Sequence, residues 1–474
     1  MRAVVLAAGE GSRMTGARSG EHKALRKILG ISIIERGILA MRDAGVHHFT
    51  VVIGYAGDKV RDALGDGSCL GVSIEYVENK DWRLGNGTSV YAVRNTVGND
   101  EFIVAMADHW YEPEIAKLLT ANSSGGAISK LCVDLDIDSP LRSDEATRVR
   151  VIADGSIVQV GKNLSDFSAV DCGLFLFNRD IFGALQKGFA SEEYELGAAA
   201  NRLASTGRLE MIDVEGLLWE DIDTEDELKA ASRKLRRSLP GSDDGLISQY
   251  LNRRLSVPIS MIAIKARLTP NFVSLLALLL AVFSGLSFAL GNIIAGAVAA
   301  QMASIVDGSD GEVARARFMS SKRGGLVDSV LDRVADGFIL GGAGYHVLTN
   351  SPESWELAIV LMALAIAPMS MILKDRFQLA TGRKWRSELD DGASRVLLAT
   401  RDGRLFVLFL GGLLNQLAPA LAFVAITGML LLVWRLVLVW VQMTPEQMTP
   451  ITIPPEMPDV IPSLSQSGSE AGGD

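Results

Sequence analysis

From about residue 270 to residue 441 the chain is dominated by apolar stretches long enough to cross a bilayer, and nothing before residue 240 resembles them. In hydrocarbon the backbone must satisfy its own hydrogen bonds, so this part is expected to be all-α. The stretches predict helices at roughly 272–290, 292–311, 325–348, 355–373, 404–418 and 419–441, about six transmembrane helices, the fifth short for a full span. Basic residues set their orientation. The second-to-third connection holds Arg315, Arg317, Lys322 and Arg323, and the fourth-to-fifth holds Lys374, Arg376, Arg383, Lys384, Arg386, Arg395, Arg401 and Arg404. The connections around Gly291, 349–356 and 415–419 hold none. That asymmetry predicts a multi-pass protein of the cell membrane, with its basic loops and its N-terminal half in the cytoplasm.

At 474 residues more than one domain is expected. Up to residue 237 the composition is that of a soluble α/β domain. Short β-branched runs at 2–6, 49–53, 72–77, 102–106 and 174–177 alternate with helical stretches such as 33–44. That alternation predicts a Rossmann-like, mostly parallel sheet covered on both faces. Residues 238–271 read as a linker followed by an amphipathic piece, 245–267, expected to lie along the headgroups through Arg253, Arg254, Lys265 and Arg267. Residues 272–441 form the membrane domain. The tail, 442–474, is rich in Pro, Ser and Gly and is expected to be disordered. A net charge of −10 gives no reason to expect nucleic acid. Three scattered cysteines, Cys69, Cys132 and Cys172, read as reduced thiols of a cytosolic environment. The first residues do not read as a secretory signal.

Four carboxylates, Asp307, Asp310, Asp328 and Asp332, lie among the apolar segments in two pairs spaced three and four apart. On a helix each pair shares a face. Ionisable residues there are costly, and four of one sign need a divalent cation; oxygen ligands point to Mg²⁺ or Mn²⁺. Helix capping would explain one of them but not four at this spacing. Metal-dependent chemistry on a phosphate, at a membrane surface, is the expectation.

In the N-terminal half the first strand runs into Gly9, Gly11, Ser12 and Arg13, followed by Lys23. A glycine loop after a strand lets backbone N–H groups approach phosphates, and Arg13 and Lys23 add positive charge where pyrophosphate would leave. Residues 84–90 give a second small-residue loop, L-G-N-G-T-S-V. Asp108 follows an apolar strand, and Asp221 and Asp223 share one face of an extended segment. Asp223 also competes as a helix N-cap. In this order the motifs resemble the nucleotidyltransferase family that couples sugar or polyol phosphates to nucleoside triphosphates. The resemblance implies that Gly9, Gly11, Arg13 and Lys23 grip the triphosphate and that Asn86, Gly87 and Thr88 contact the nucleoside. It also implies that Asp108 with Asp221 or Asp223 holds Mg²⁺, and that Lys162 faces the substrate phosphate. The family usually has Pro after the lysine; here Ala24 follows.

The aspartate motif has the form D-x2-D-G-x2-A-R-x8-G-x3-D-x3-D, filled by Asp307, Asp310, Gly311, Ala314, Arg315, Gly324, Asp328 and Asp332. It resembles the CDP-alcohol phosphotransferase family over roughly residues 245–441. The resemblance implies that Asp307, Asp310 and Asp328 bind metal, and that Asp332 borders the metals and takes the acceptor's proton. Gly311 would admit the cytidine nucleotide, Arg315 would meet its phosphates, and the membrane halves would pair as a homodimer. Arg401 and Arg404 would receive an acceptor phosphate, although interfacial snorkelling explains them as well. Asp336 continues the same face without belonging to the motif.

A domain that makes a nucleoside-diphospho-alcohol, joined to one that consumes a CDP-alcohol, implies CTP as the nucleotide. The pairing resembles the bifunctional family of di-myo-inositol phosphate synthesis. The resemblance implies that CTP and inositol 1-phosphate give CDP-inositol, whose inositol phosphate group passes to a second inositol 1-phosphate with release of CMP. The alternatives are a phospholipid synthase with a lipid acceptor, an inactive first domain serving as sensor or anchor, and a non-catalytic receptor or transporter.

Overall fold

The computed structural model describes residues 1–11, 22–123, 125–126, 128–136, 147–241, 245–350, 353–383 and 385–442. Ser12, Arg13, Lys384 and the tail from 443 lie outside the described residues.

The first half opens with β1 (Arg2–Ala7), a short hairpin of β2 (Lys27–Ile28) and β3 (Ile31–Ser32), and α1 (Ile33–Asp43). Next come β4 (His48–Ile53), α2 (Gly57–Leu64), β5 (Ser73–Glu78), α3 (Asn86–Ala92), β6 (Phe102–Met106), β7 (His109–Tyr111) and α4 (Pro113–Ala121). The rest is β8 (Ser129–Asp134), β9 (Arg148–Val151), β10 (Ile157–Gly161), β11 (Ala169–Phe177), α5 (Asp180–Phe189), α6 (Leu196–Ala204), β12 (Leu209–Asp213), β13 (Trp219–Asp221) and α7 (Glu225–Ser238). The main sheet runs β10-β9-β11-β6-β1-β4-β5, with β8 beside β11 and β12 beside β8. β1 is parallel to both β4 and β6, which suits its unbroken buried run from Ala3 to Ala7. Alternate residues of β1 feed opposite cores: Val5 packs in one with Ile34 and Ile38 of α1, Val4 in the other with Leu185 and Leu203 of α5 and α6.

The sheet is parallel through β5, β4, β1 and β6, as expected, and mixed beyond them. β11 is antiparallel to β6, β8 and β9, and β9 with β10 forms an antiparallel ribbon. Antiparallel strands need no crossover helix, so this side lacks the strand–helix alternation that signals parallel pairing. β1 and β6 end at the same edge, where ligands gather in such folds.

The second half contains α8 (Arg253–Lys265), α9 (Pro270–Ala289), α10 (Ile293–Ala316), α11 (Lys322–Asn350), α12 (Ser354–Thr381), the single turn α13 (Ser387–Asp390), α14 (Arg401–Leu413) and α15 (Leu417–Gln442). The six long helices stand close to their predicted positions. By length and composition three of them, α9, α12 and α15, are apolar enough to cross a membrane. α10 and α11 carry the charged motif, and α14 has 13 residues, so this criterion does not reach the expected six spans.

The amphipathic piece does more than lie on a surface, because α8 packs on α10. Glu312 of α10 is wholly buried, and its carboxylate accepts from Arg253 Nη1 (2.7 Å), Ser256 Oγ (2.8 Å) and Ser260 Oγ (2.5 Å). The two halves share one apolar cluster, which holds Leu228 and Leu235 of α7, Leu239 just after it, and Val306 and Val313 of α10.

Candidate active sites

At the carboxyl edge of the first sheet lies a cavity of about 770 Å³. Asp108 sits in the turn after β6, and His109 begins β7. β7 pairs with β13 so that His109 lies opposite Asp221. Ligand atoms of Asp108, His109 and Asp221 all fall within 4.8 Å of one another. Lys23 Nζ lies 2.8 Å from Asp108 Oδ2 and also pairs with Asp223. Asp223 is not the helix cap: Thr224 caps α7, in a reciprocal pair with Glu227. Asp221 Oδ1 is buried and accepts no hydrogen bond from the described residues.

The charges in this cavity hold one another in place. Burial alone would lower the pKa of Lys23, but the carboxylates of Asp108, Asp221 and Asp223 overcome it and raise the value. Burial also works against the charged His109, yet Asp221 and Asp108 lift it to about 9. Burial would raise Asp108, but Lys23 and His109 hold it well below the usual carboxylate range. Asp171 of β11, beside His109 and Asp221, is pushed up to about 6 by burial. Two carboxylates and one imidazole, with a buried carboxylate oxygen that accepts no hydrogen bond among the described residues, fit a divalent cation whose binding would displace the histidine proton.

Gly11 has φ +62°, and a Cβ there would come within 2.7 Å of Lys23 Cβ, so glycine lets the loop close over the lysine. Gly9 meets nothing within 4 Å at that position. Asn86 lines the cavity, its Oδ1 accepting from Leu196 N (2.7 Å). The Thr88 hydroxyl is engaged by Asn79 and Gly85, and Gly87 packs under the Tyr194 carbonyl, so both are tied into local structure. Lys162 lines the opposite wall. Arg13 lies outside the described residues. Sequence reasoning missed His109, because neighbours along a strand point apart; only the turn at Asp108 lets both converge. Gly173, with φ +73°, makes room for the imidazole, since a Cβ there would lie 2.5 Å from His109 Cδ2.

In the second half, carboxylate oxygens of Asp307, Asp310 and Asp328 lie within 4.8 Å of one another. Asp310 accepts from Ser274 of α9 and from the Gly311 backbone. Asp332 follows one turn after Asp328, and its buried Oδ1 has no hydrogen-bond partner among the described residues, although Arg401 Nη1 is 2.8 Å away. Arg401 opens α14 and also pairs with Asp307 and with Asp336 (3.0 Å). Arg404 Nη2 lies 3.1 Å from Asp336 Oδ2, while its buried Nη1 has no partner among the described residues. A cavity of about 310 Å³ opens beside these groups, lined in part by Arg333, Lys374, Arg404 and Arg435. The Arg315 guanidinium lies across Gly311, where a Cβ would be 3.2 Å from its Nη1. Three converging carboxylates, with Asp332 one turn beyond them, fit divalent-cation binding, as the sequence predicts.

The model of the MobA-like NTP transferase domain matches residues 3–138, and that of the CDP-alcohol phosphatidyltransferase family matches residues 267–444. A Rubrobacter xylanophilus protein named bifunctional IPC transferase and DIPP synthase is 36% identical over 434 residues, covering 90% of this chain and 93% of its own length. A Thermococcus kodakarensis protein of the same name is 32% identical over 441 residues, covering 92% and 96%. Among solved structures, the inositol-1-phosphate CTP transferase from T. maritima is 26% identical with a TM-score of 0.44, covering 49% of this chain and 93% of that one.

Proposed function

Since the chain belongs to the family of bifunctional IPC transferases and DIPP synthases, we propose that its two halves catalyse successive steps. The first half makes CDP-inositol from CTP and inositol 1-phosphate. The second transfers the inositol phosphate group to another inositol 1-phosphate, giving di-myo-inositol phosphate phosphate and CMP. The observation that carries this reading is that each half holds its own cluster of metal-ligand side chains, Asp108, His109 and Asp221 at the sheet edge and Asp307, Asp310 and Asp328 where α10 meets α11.

In the first step a phosphate oxygen of inositol 1-phosphate attacks the α-phosphorus of CTP, and pyrophosphate leaves. The nucleophile is already anionic, so the protein supplies position and charge. Gly9, Gly11 and Arg13 cradle the triphosphate, and Lys23 stands where negative charge grows. Asn86, Gly87 and Thr88 border the nucleoside, and Lys162 meets the polyol phosphate. Asp108, Asp221 and, once its proton is displaced, His109 would hold a divalent cation, with Asp223 orienting Lys23.

In the second step an inositol hydroxyl of the acceptor attacks the phosphorus that carries inositol, and CMP leaves. A hydroxyl needs a base, and Asp332 takes its proton. Asp307, Asp310 and Asp328 hold the cations, Mg²⁺ in this reading. Bound there, such ions neutralise phosphate charge and stabilise the departing nucleotide. Gly311 and Arg315 receive the cytidine diphosphate. Arg404, with Lys374 and Arg333 around the smaller cavity, receives the acceptor's phosphate, which favours an anionic, soluble acceptor over a neutral lipid. Arg401 holds Asp307, Asp332 and Asp336 in register.

The three apolar helices fit a membrane-associated domain, and we place α10 and α11 beside them in one bundle with both sites on the cytoplasmic face. Membranes containing the protein, given CTP, Mg²⁺ and inositol 1-phosphate, are expected to form CDP-inositol and then a phosphorylated phosphodiester, both identified by phosphorus NMR. CDP-inositol without phosphodiester removes the second step, and consumption only of added lipid makes the chain a phospholipid synthase.

A further inference from the structure

The loop between α10 and α11 contributes no residue to the acidic trio, yet it joins Arg315 to Asp328. Its backbone is unusual: Phe318 has φ +55°, a region that non-glycine residues enter only when their surroundings hold them there. The surroundings belong to the soluble half. The Phe318 ring packs against the core that contains α1, with the Arg36 guanidinium carbon 5.8 Å from its centroid. Arg36 is itself buried, and its Nε and Nη2 both donate to the Ile28 carbonyl. Arg42 forks between the halves: Nη1 donates to Leu70 O (3.0 Å) and Nη2 to Phe318 O (3.2 Å). Three residues upstream, Arg315 Nε donates to the carbonyl of Leu239 at 2.6 Å. Leu239 follows α7, and its buried side chain sits in the apolar cluster shared by both halves. Soluble-half contacts therefore bracket the segment from Arg315 to Phe318 on both sides.

We propose that the soluble half is a working part of the transfer site, with Phe318 and Arg42 acting as positioning residues for Arg315. The inference rests on the reading that the membrane half consumes a CDP-alcohol. The physical reason is orientation. Arg315 has a long side chain with many rotamers, and tying its Nε to a fixed carbonyl holds its guanidinium across Gly311, where that reading puts the nucleotide phosphates. The bond to Leu239 can hold only while the end of α10 keeps its place, and the Phe318 anchor fixes that end. Asp332 lies on α11, and the acceptor cavity takes from α10 only Ser304, Asp307 and Gly308, about two turns or more before Arg315. Loosening it therefore weakens nucleotide binding in ground state and transition state alike, which raises KM and spares kcat.

The test uses membranes with the full chain, supplied CDP-inositol and inositol 1-phosphate. Phe318→Ala and Arg42→Ala are each expected to raise KM for CDP-inositol about five- to tenfold, with kcat and KM for inositol 1-phosphate within about twofold. Cytidylylation by the same preparations stays at the wild-type rate. Phe318→Leu, which keeps apolar contact, recovers most of the affinity, and Arg42→Lys, which cannot fork between two carbonyls, does not. Unchanged KM in both alanine variants overturns the proposal. A fall in kcat at constant KM overturns it as well, because that pattern reports a smaller folded fraction. If the wild type releases no CMP from CDP-inositol, the reading of the membrane half fails first, and the proposal with it.

Discussion

Lys23 and Asp332 each face a cluster of carboxylates, and each serves a different step. Removing Lys23 takes away the cation nearest Asp108 and Asp223 and leaves those carboxylates to repel a triphosphate. Lys23→Ala is expected to lower cytidylylation by about 10²- to 10³-fold while transfer from supplied CDP-inositol persists. Asp332→Asn is expected to do the reverse, lowering transfer by about 10²- to 10⁴-fold with cytidylylation intact. Separate assays of the two products check both; loss of both activities in either variant contradicts two independent sites. Next to Lys23, buried His22 uses Nδ1 to accept from Ala24 N and turns Nε2 to Ala7 O, both at 3.2 Å. Burial lowers its pKa from 6.5, so the folded state prefers it neutral. Its contribution to stability is present above the unfolded value and is lost as pH falls through the folded one, at up to about 1.4 kcal/mol per pH unit. Thermal melting from pH 7.5 down to 5 is expected to show that loss, and His22→Gln to flatten it. The aspartate motif was legible because spacings of three and four are local to a helix. The partners of Arg401 were not, since Asp307 lies 94 residues away and only the packing of α14 on α10 joins them.

At the scale of elements, a long apolar helix or a fully buried strand announces itself, and the half-buried ones do not. The six long helices and β1, β4, β5, β6 and the end of β11 were legible from composition. β9, which reads R-V-R-V, and β12, L-E-M-I-D, mix charge into short strands and gave no such signal. α8 was legible only in part. Of the basic residues expected at the headgroups, Arg254, Lys265 and Arg267 are exposed, but Arg253 turns inward with Ser256 and Ser260 onto Glu312. A wholly buried carboxylate tolerates no missing partner. Arg253→Met is expected to destabilise the membrane half by about 3–5 kcal/mol, and the double variant Arg253→Met with Glu312→Met to recover most of it. Thermal unfolding in detergent measures both. A single variant as stable as the parent would mean that α8 is held by its apolar contacts alone.

For the whole molecule, the seam between the halves fixes more than Arg315. Arg317 of the same loop donates to Leu268 O (2.9 Å), and Arg42 reaches the loop from the soluble half. In the proposed membrane arrangement, the basic α10–α11 loop and the first half therefore share one side of the bilayer. The excess of Lys and Arg in that loop and in the α12–α14 connection is the ground for proposing the cytoplasmic side. The cysteines give a direct check, because Cys69 is exposed on the soluble half while Cys132 and Cys172 are buried. An impermeant maleimide is expected to label inverted vesicles at Cys69 alone, to leave right-side-out vesicles unlabelled, and to reach all three thiols after denaturation. Labelling of right-side-out vesicles would turn both sites away from cytoplasmic CTP, and no coupled synthesis from a cytoplasmic polyol phosphate could then proceed.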